Sequence, residues 1–424
     1  MKLTPEKNHF PETMYHYMSD AGPVPDLSGK RLLILGGSYL QIPAIVEAKR
    51  LGLSTAVLDY DDQCPGRALA DQFYLQSTID EEAVLFSARH FKADGIITLG
   101  TDWPMRSVAY ASEAMQLPAI AYEAAGRSTN KIDMIKQLAK GRIAHPAFLF
   151  YNVLEQSLTD IIDHIPLPCI IKPVDASGSR GVVILNHWDD LSDAISYSAA
   201  QSKSGHLIIQ EFMVGPEVSV EIMILDGQPH VLAITDKLTS GSPYFIETKH
   251  TQPSRLSPDQ QQQIARLAQD SCRALDLTMG AAHVEIIYTA TGPKIVEVGP
   301  RMGGDFIATH LVPLSTGSNM TQLVILQAIG LSPRLPETVD RGSCIQYIDR
   351  GRGIITGENN LPEILALPGI VQAGIYLLPG SRIGEVRSSA DRLGYIIATS
   401  ETADEADRLA DEADRQLIVR LEKQ

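Results

Sequence analysis

Cysteine is scarce in this sequence: four thiols, Cys64, Cys169, Cys272 and Cys344, are scattered over 424 residues with no CxxC pair. That spacing suits neither a zinc site nor a disulfide framework, so reduced thiols are expected. Long apolar runs are missing as well. Nothing approaches the roughly 20 residues that a membrane span requires, so no membrane partner is expected. The opening MKLTPEKNHFPETMYHYMSD holds no apolar h-region and is not read as a secretory signal; the expected setting is cytoplasmic. Positive charge is also short. Lys and Arg number 36 against 51 Asp and Glu, a formal charge of −15. So acidic a surface repels phosphate backbones, and no nucleic-acid partner is expected. Small nucleotides stay possible, because a pocket needs only a few local cations. Two familiar catalytic loops are absent, the G-x-S-x-G elbow and the Walker loop ending in Gly-Lys-Ser/Thr.

What is present is ordinary for a globular chain: 44% hydrophobic and 21% charged residues, with a length that suggests about three domains. Residues 1–30 are polar and dotted with proline, and read as an arm packed on the body. Order begins at Arg31-Leu32-Leu33-Ile34-Leu35, an apolar strand running into Gly36-Gly37. A helix over 41–50, a strand over 54–59 and a third strand, Asp94 to Gly100, follow. Strand–helix–strand at this spacing predicts a parallel sheet with helices on its faces, a Rossmann-like unit over 31–127. The loop LGGSYLQIPA lacks the spaced G-x-G-x-x-G, so this unit is expected to hold no dinucleotide. The pattern changes near residue 128, and a second region over 128–330 divides into a lid part at about 128–206 and a catalytic lobe at about 207–330. A smaller unit over 331–424 ends in an acidic helix, 401–423, with Leu409, Ala413 and Leu417 on one face. The fold class is α/β (α+β).

Three clusters carry possible chemistry. Lys172 closes an apolar strand just before Asp175-Ala176-Ser177-Gly178-Ser179-Arg180-Gly181, where small residues let backbone N–H groups approach phosphate oxygens; an ordinary Gly-Ser turn is the alternative. Glu285 and Glu297 sit in two apolar runs separated by Thr289-Ala290-Thr291-Gly292, a turn sequence. With the hairpin centred on Thr291 they oppose each other, with Cβ atoms about 4.5–5.5 Å apart. Like charges so placed need a cation between them, and magnesium bound through carboxylates and phosphates would serve. A register shifted by one residue would instead turn them to opposite faces. Third, Gly299-Pro300-Arg301-Met302-Gly303-Gly304-Asp305 offers one arginine beside those acids, suited to a phosphoryl group or a carboxylate.

In order, these parts are the Rossmann-like unit, Lys131, Lys172 with its loop, Gln210-Glu211-Phe212-Met213-Val214-Gly215-Pro216-Glu217, then Glu285, Glu297 and Arg301. The sequence resembles the ATP-grasp superfamily of carboxylate–amine (or thiol) ligases from about Arg31 onward. It looks most like the bacterial L-amino-acid ligases, or dipeptide synthases. The stretch Asp391 to Ala398 is similar to the closing domain of biotin carboxylase and purine-pathway members. The resemblance implies an ATP-grasp fold with an N-terminal pre-ATP-grasp domain and a small C-terminal domain. It implies that Lys131 and Lys172 hold the ATP phosphates, with residues 175–181 (Ser177, Gly178 and Ser179 among them) closing as a lid. Gln210 and the backbone of Glu211 and Met213 would meet adenine, and Glu217 the ribose. Glu285 and Glu297 would bind magnesium, with manganese as the alternative ion. Arg301 and Lys172 would be catalytic, and His250 and Arg301 would touch substrate. One departure stands out: the family usually places an asparagine two residues after the second metal acid, and here that position is Gly299, which removes one ligand of a second magnesium and leaves a water or Asp305 to replace it. Glu211 and Glu221 read otherwise as exposed strand acids, and His283 as a packed neighbour of Glu285.

The reaction so implied is ATP-dependent amide formation, with thioester formation as an alternative, through an acyl phosphate. Its partners would be a small carboxylate, an L-amino acid by expectation, and an amine; a homodimer is left open. Two other readings share the ATP residues: a purine-pathway or carbamoyl-phosphate type of enzyme, and a nucleotide-binding regulatory module without catalysis. Substrate identity and pathway are not legible here.

Overall fold

A computed structural model describes residues 26–155, 157–174, 181–241, 245–357, 359–377 and 379–422. Most of the expected N-terminal arm and of the phosphate loop, with Ser177, Gly178 and Ser179, lies outside the described residues. The first unit runs β1 (Arg31–Leu35), α1 (Ile42–Arg50), β2 (Ser54–Asp59), β3 (Gln72–Leu75), α2 (Glu81–Phe91), β4 (Gly95–Ile97) and α3 (Met105–Ala114). Its four strands form a parallel sheet in the order β3-β2-β1-β4. The strands are nearly continuous in apolar residues because helices cover both faces. Then come α4 (Tyr122–Thr129) and α5 (Lys131–Lys140). Asn130 caps α5, its side-chain oxygen accepting from Ile132 N at 2.9 Å, which puts Lys131 at the first helical position.

β5 (Phe148–Asn152), α6 (Thr159–Ile162), β6 (Cys169–Pro173), β7 (Val183–Leu185), α7 (Leu191–Ala199) and β8 (His206–Glu211) make a separate antiparallel sheet, ordered β5-β8-β6-β7, with its own core. The described lid sheet therefore spans 148–211, whereas the sequence suggests 128–206. The difference arises because Met134 and Leu138 of α5 pack into the core of the following lobe.

That lobe is built on β9 (Glu217–Leu225), β10 (Gln228–Thr239), β11 (Glu247–Gln252), α8 (Pro258–Ala274), β12 (Gly280–Thr289) and β13 (Gly292–Gly299). Helix α8 starts at a capping box of Ser257 and Gln260 with Pro258 at its first position. A π-helical turn at Ile307–Leu311 leads to α9 (Val312–Thr316) and α10 (Met320–Ala328). The C-terminal elements are β14 (Gly342–Ile348), β15 (Gly353–Ile355), α11 (Leu361–Leu365), β16 (Ile370–Ile375), β17 (Arg382–Ile383), β18 (Gly394–Ser400), α12 (Ala403–Gln416) and β19 (Leu421–Glu422). Strands of both regions share one eight-stranded antiparallel sheet, β13-β12-β9-β10-β11-β14-β18-β16. Hydrogen bonding thus crosses the boundary suggested near 331 without a break, through β11 and β14. Among the described residues no helix is long and apolar enough to cross a membrane.

Two packing contacts fix the pieces around the later site. Leu32 and Ile34 of β1 share a core with Met302, Met320 and Leu323. The buried Glu47 binds Arg50 and accepts from Asn319 Nδ2 at 3.1 Å, tying α1 to α10. Helix α12 ends at Gln416, seven residues before the expected end. Ala413 and Leu417 are buried as expected and Leu409 packs partly buried; the buried stripe of the helix itself is Ala406, Ala410 and Ala413, small residues that let it sit close on Cys344 and Ala398. Ala410→Leu should overpack that seam at a cost of about 1–3 kcal/mol. Calorimetry should register a melting temperature lower by a few degrees with nucleotide affinity unchanged; an unaltered melting temperature would contradict the seam.

Candidate active site

One cavity of about 1200 Å³ lies between the lid sheet, the eight-stranded sheet and the N-terminal unit. Lys131, Lys172, Gln210, Glu211, Met213, Glu217, Glu285, Glu297 and Arg301 all line it. Lys237, Glu247 and Asp102, to which the sequence reading gave no role, line it too.

The hairpin register sets the acids. The turn is tighter than expected, since Thr289 pairs with Gly292 and Ile286 with Ile295. Carried on unchanged, that register would set Glu285 opposite Val296 and turn Glu297 away. A bulge between Glu285 and Ile286 adds one residue on β13, so Glu285 pairs with Glu297 after all. Both carboxylates then face the cavity.

Cations hold this like-charged pair together. Lys131 Nζ is 3.1 Å from Glu297. Lys237, almost wholly buried, stands 2.8 Å from Glu285 and 2.7 Å from Glu217, with Glu247 at 4.0 Å. Burial alone would drive the Lys237 ammonium toward neutrality, but these three carboxylates outweigh it and hold its pKa well above the lysine range. Burial likewise raises Glu285, and Lys237 and His283 more than reverse that, leaving it well below the carboxylate range. Lys172 differs: burial and repulsion from Lys131 pull its pKa down against the attraction of Glu297, and no ion pair reaches it among the described residues. The side chain is half-buried on the cavity wall.

Behind Glu285 stands a fully buried pair. His283 Nδ1 bonds Glu221, its Nε2 lies 3.5 Å from Glu285, and Glu221 also accepts from Gly303 N at 3.0 Å. Burial lowers the imidazole pKa, yet Glu221 raises it to about 9. Glu221 is therefore no exposed strand acid; it pins both His283 and the loop that carries Arg301. Glu211 is half-buried and paired with Lys294 at 2.8 Å, and its backbone N–H is spent on Ala147. Gln210 is buried on the cavity wall, and Met213 makes no backbone–backbone hydrogen bond among the described residues, so its N–H and C=O are open to a ligand edge.

Two expectations need correction. His250 does not line this cavity. It is buried on the interior strand β11, 3.5 Å from Asp305 Oδ2 and edge-on to Tyr347. Asp305 does not replace a metal ligand: its carboxylate binds Arg392 of the C-terminal region at 2.8 Å, which overcomes burial and holds its pKa far below the usual range. The same Arg392 bonds Glu247 at 2.8 Å and lies over the Tyr347 ring. The N-terminal glycine loop is closed, since Gly37 N donates to Asp59 Oδ2 at 2.7 Å and Gln41 fills the space under Gly36. Lys237 was detectable as a lone lysine inside the strand ITDKLT. Asp102 follows a strand of an open α/β sheet on the side where ligands gather.

Comparison with known proteins agrees with this geometry. An ATP-grasp domain matches residues 165–310, and an L-amino acid ligase C-terminal domain 2 matches residues 348–422. The chain thus contains an ATP-grasp domain. An uncharacterized protein of Sinorhizobium fredii is 27% identical over 70% of this chain and 62% of its own length. Mouse carnosine synthase 1 is 25% identical over 73% of this chain, which spans only 41% of that protein. A formate-dependent phosphoribosylglycinamide formyltransferase from Saccharolobus solfataricus is 24% identical, covering 89% of this chain and 94% of that protein. The ATP-grasp fold here superposes on the L-amino acid ligase of Bacillus licheniformis with a TM-score of 0.79 at 23% identity, over 93% of this chain and all of that one. The biotin carboxylase domain of a Hydrogenobacter thermophilus 2-oxoglutarate carboxylase, solved with magnesium ADP, gives 0.74 at 16% identity, over 93% and 91%.

Magnesium fits the residues present. Among the described residues no three His, Cys, Asp or Glu groups already converge as a metal cluster. Two opposed carboxylates on the wall of an open cavity are nevertheless a donor set this ion takes, because it fills its remaining positions with phosphate oxygens and water. Lys237→Met should leave Glu217 without its counter-charge and Glu285 with His283 alone; breaking a wholly buried pair costs about 3–5 kcal/mol, and these half-buried carboxylates should lose less. The metal-free variant should melt several degrees lower, and magnesium should recover part of the difference. Equal melting of variant and wild type would refute the charge assignment.

Proposed function

We propose that this chain is an ATP-dependent, ADP-forming ligase that joins a small carboxylate, an L-amino acid, to an amine. The observation that carries the reading is one cavity in which two opposed acids, a half-buried lysine without an ion pair among the described residues, and a held arginine converge. One carboxylate oxygen of the substrate attacks the γ-phosphorus, the bond from that phosphorus to the β,γ-bridging oxygen breaks, and ADP leaves. The amine then attacks the acyl carbon, loses a proton, and expels phosphate carrying that carboxylate oxygen. Such chemistry needs positioning and charge stabilisation rather than a protein nucleophile. Lys131 and Lys172 would hold the phosphates, Gln210 and the Glu211–Met213 backbone the adenine, and Glu217 the ribose. Magnesium, held by Glu285 and Glu297, would neutralise charge on the transferring group. Arg301 would orient the substrate carboxylate; with Nη1 and Nη2 already bonded to Met302 O and Asp102, it would do so through what remains of its fork.

A second reading, a phosphoribosyl-amine enzyme, is favoured by the length match to the formate-dependent relative. A phosphorylated substrate needs its own anion site, and the glycine loop that could provide one has Gly37 N committed to the Asp59 carboxylate. That favours an amino acid. ADP release measured against amino acids, singly and in pairs, with phosphoribosylglycinamide plus formate as a parallel arm, tests the choice. Amino acids should stimulate release. Glu297→Gln should remove at least about 100-fold of it while the fold stays intact, and Arg301→Lys should cost most of kcat/KM with little change in ATP affinity. A silent amino-acid panel, or near-normal turnover in Glu297→Gln, would contradict the proposal.

A further inference from the structure

The N-terminal unit lines the cavity with Glu81 and Asp102, and only half of the Asp102 carboxylate is used. Asp102 Oδ2 accepts from Arg301 Nη2 at 2.8 Å, while Asp102 Oδ1 is buried without any hydrogen-bond partner. An aspartate that served only to anchor the guanidinium would take the parallel two-bond geometry. Here Arg301 Nε is buried and unpartnered as well, so the second bond is forgone on both sides.

The free oxygen lies against Gly299. A β-carbon built on Gly299 would be 2.6 Å from Asp102 Oδ1 and 3.1 Å from Arg301 Cζ. In an asparagine, bond geometry sets the amide oxygen about 2.4 Å from its own β-carbon. Asp102 Oδ1 thus sits at the distance from the Gly299 backbone where the oxygen of an asparagine at 299 would be. Gly299 follows Glu297 by two residues on β13, which puts the two positions on one strand face. The electrostatics agree: the Lys131 ammonium, although lowered by burial, is held above its ordinary range by Glu297, Asp102 and Glu285 together. Glu297 pairs with that ammonium directly, and Asp102 and Glu285 add negative charge from two parts of the fold.

We propose that Asp102 is a metal-binding residue, its free Oδ1 supplying magnesium with the oxygen that Gly299 lacks. The assignment rests on the ATP and magnesium reading above. It makes the N-terminal unit part of the metal site, and it explains why residue 299 has to be glycine.

The test is a manganese titration of the full chain with β,γ-imido-ATP, free ion being read by electron paramagnetic resonance. Wild type should bind two ions. Asp102→Ala should keep one and weaken the other at least about tenfold. Adding Gly299→Asn to Asp102→Ala should restore the second ion, because the alanine clears the space an asparagine needs. Arg301→Lys should retain both ions, separating metal binding from anchoring of the arginine. Two wild-type-affinity ions in Asp102→Ala, or no recovery in a double variant whose metal-free melting matches that of Asp102→Ala, overturns the assignment alone. A wild-type chain that binds no manganese with the nucleotide analogue overturns it together with the ATP-site reading.

Discussion

Two glutamates forced to face each other across a hairpin are the constraint on which the site is built. Opposed like charges destabilise a sheet, and burial in a cavity wall sharpens the repulsion. The protein answers with cations rather than with distance. Lys131 comes from a capped helix start and Lys237 from the adjacent face of the same sheet, each within ion-pair range of one glutamate. The arrangement balances charge in the free protein and leaves Lys172, unpaired among the described residues, to meet phosphate. A divalent ion and nucleotide entering together bring both the positive and the negative charge needed to rearrange these pairs without stranding any group.

Several parts of the chain hold that balance in place. The eight-stranded sheet runs from the hairpin into the C-terminal region, so the cavity-facing strands and the C-terminal strands form one hydrogen-bonded surface. Arg392 bridges Glu247, on the cavity wall, to Asp305, four residues beyond Arg301. Asp305 and Phe306 both have left-handed backbones, with φ of 52° and 61°, and a π-helical turn follows. Left-handed non-glycine residues cost energy unless the surroundings enforce them. The Arg392 contacts, together with Tyr347 donating to the Asp305 carbonyl, provide that enforcement. On the other side, Asp102 grips Arg301 from the N-terminal unit.

How much of this was legible in the sequence depends on how local the signal was. Strands running into glycine announced the parallel unit, and two acids flanking a turn announced the opposed pair. The bulge was not readable, because one extra residue in β13 leaves no mark on an apolar run. The lysine at 237 showed as an anomaly in a strand, but its partners lie 20 and 48 residues away and meet it only through sheet register. His250 was placed by resemblance alone; pairing of β11 with β14, about ninety residues later, makes that strand interior and buries the ring, which no local signal shows. Asp102 was missed for the same reason: its partner, Arg301, is 199 residues distant.

The central claim is that a substrate carboxylate is phosphorylated in this cavity before the amine arrives. Following oxygen tests it most directly. With an amino acid labelled with oxygen-18 in its carboxylate, turnover should deliver one labelled oxygen into each phosphate released, alongside ADP. Unlabelled phosphate, or AMP and pyrophosphate as the nucleotide products, would contradict the account.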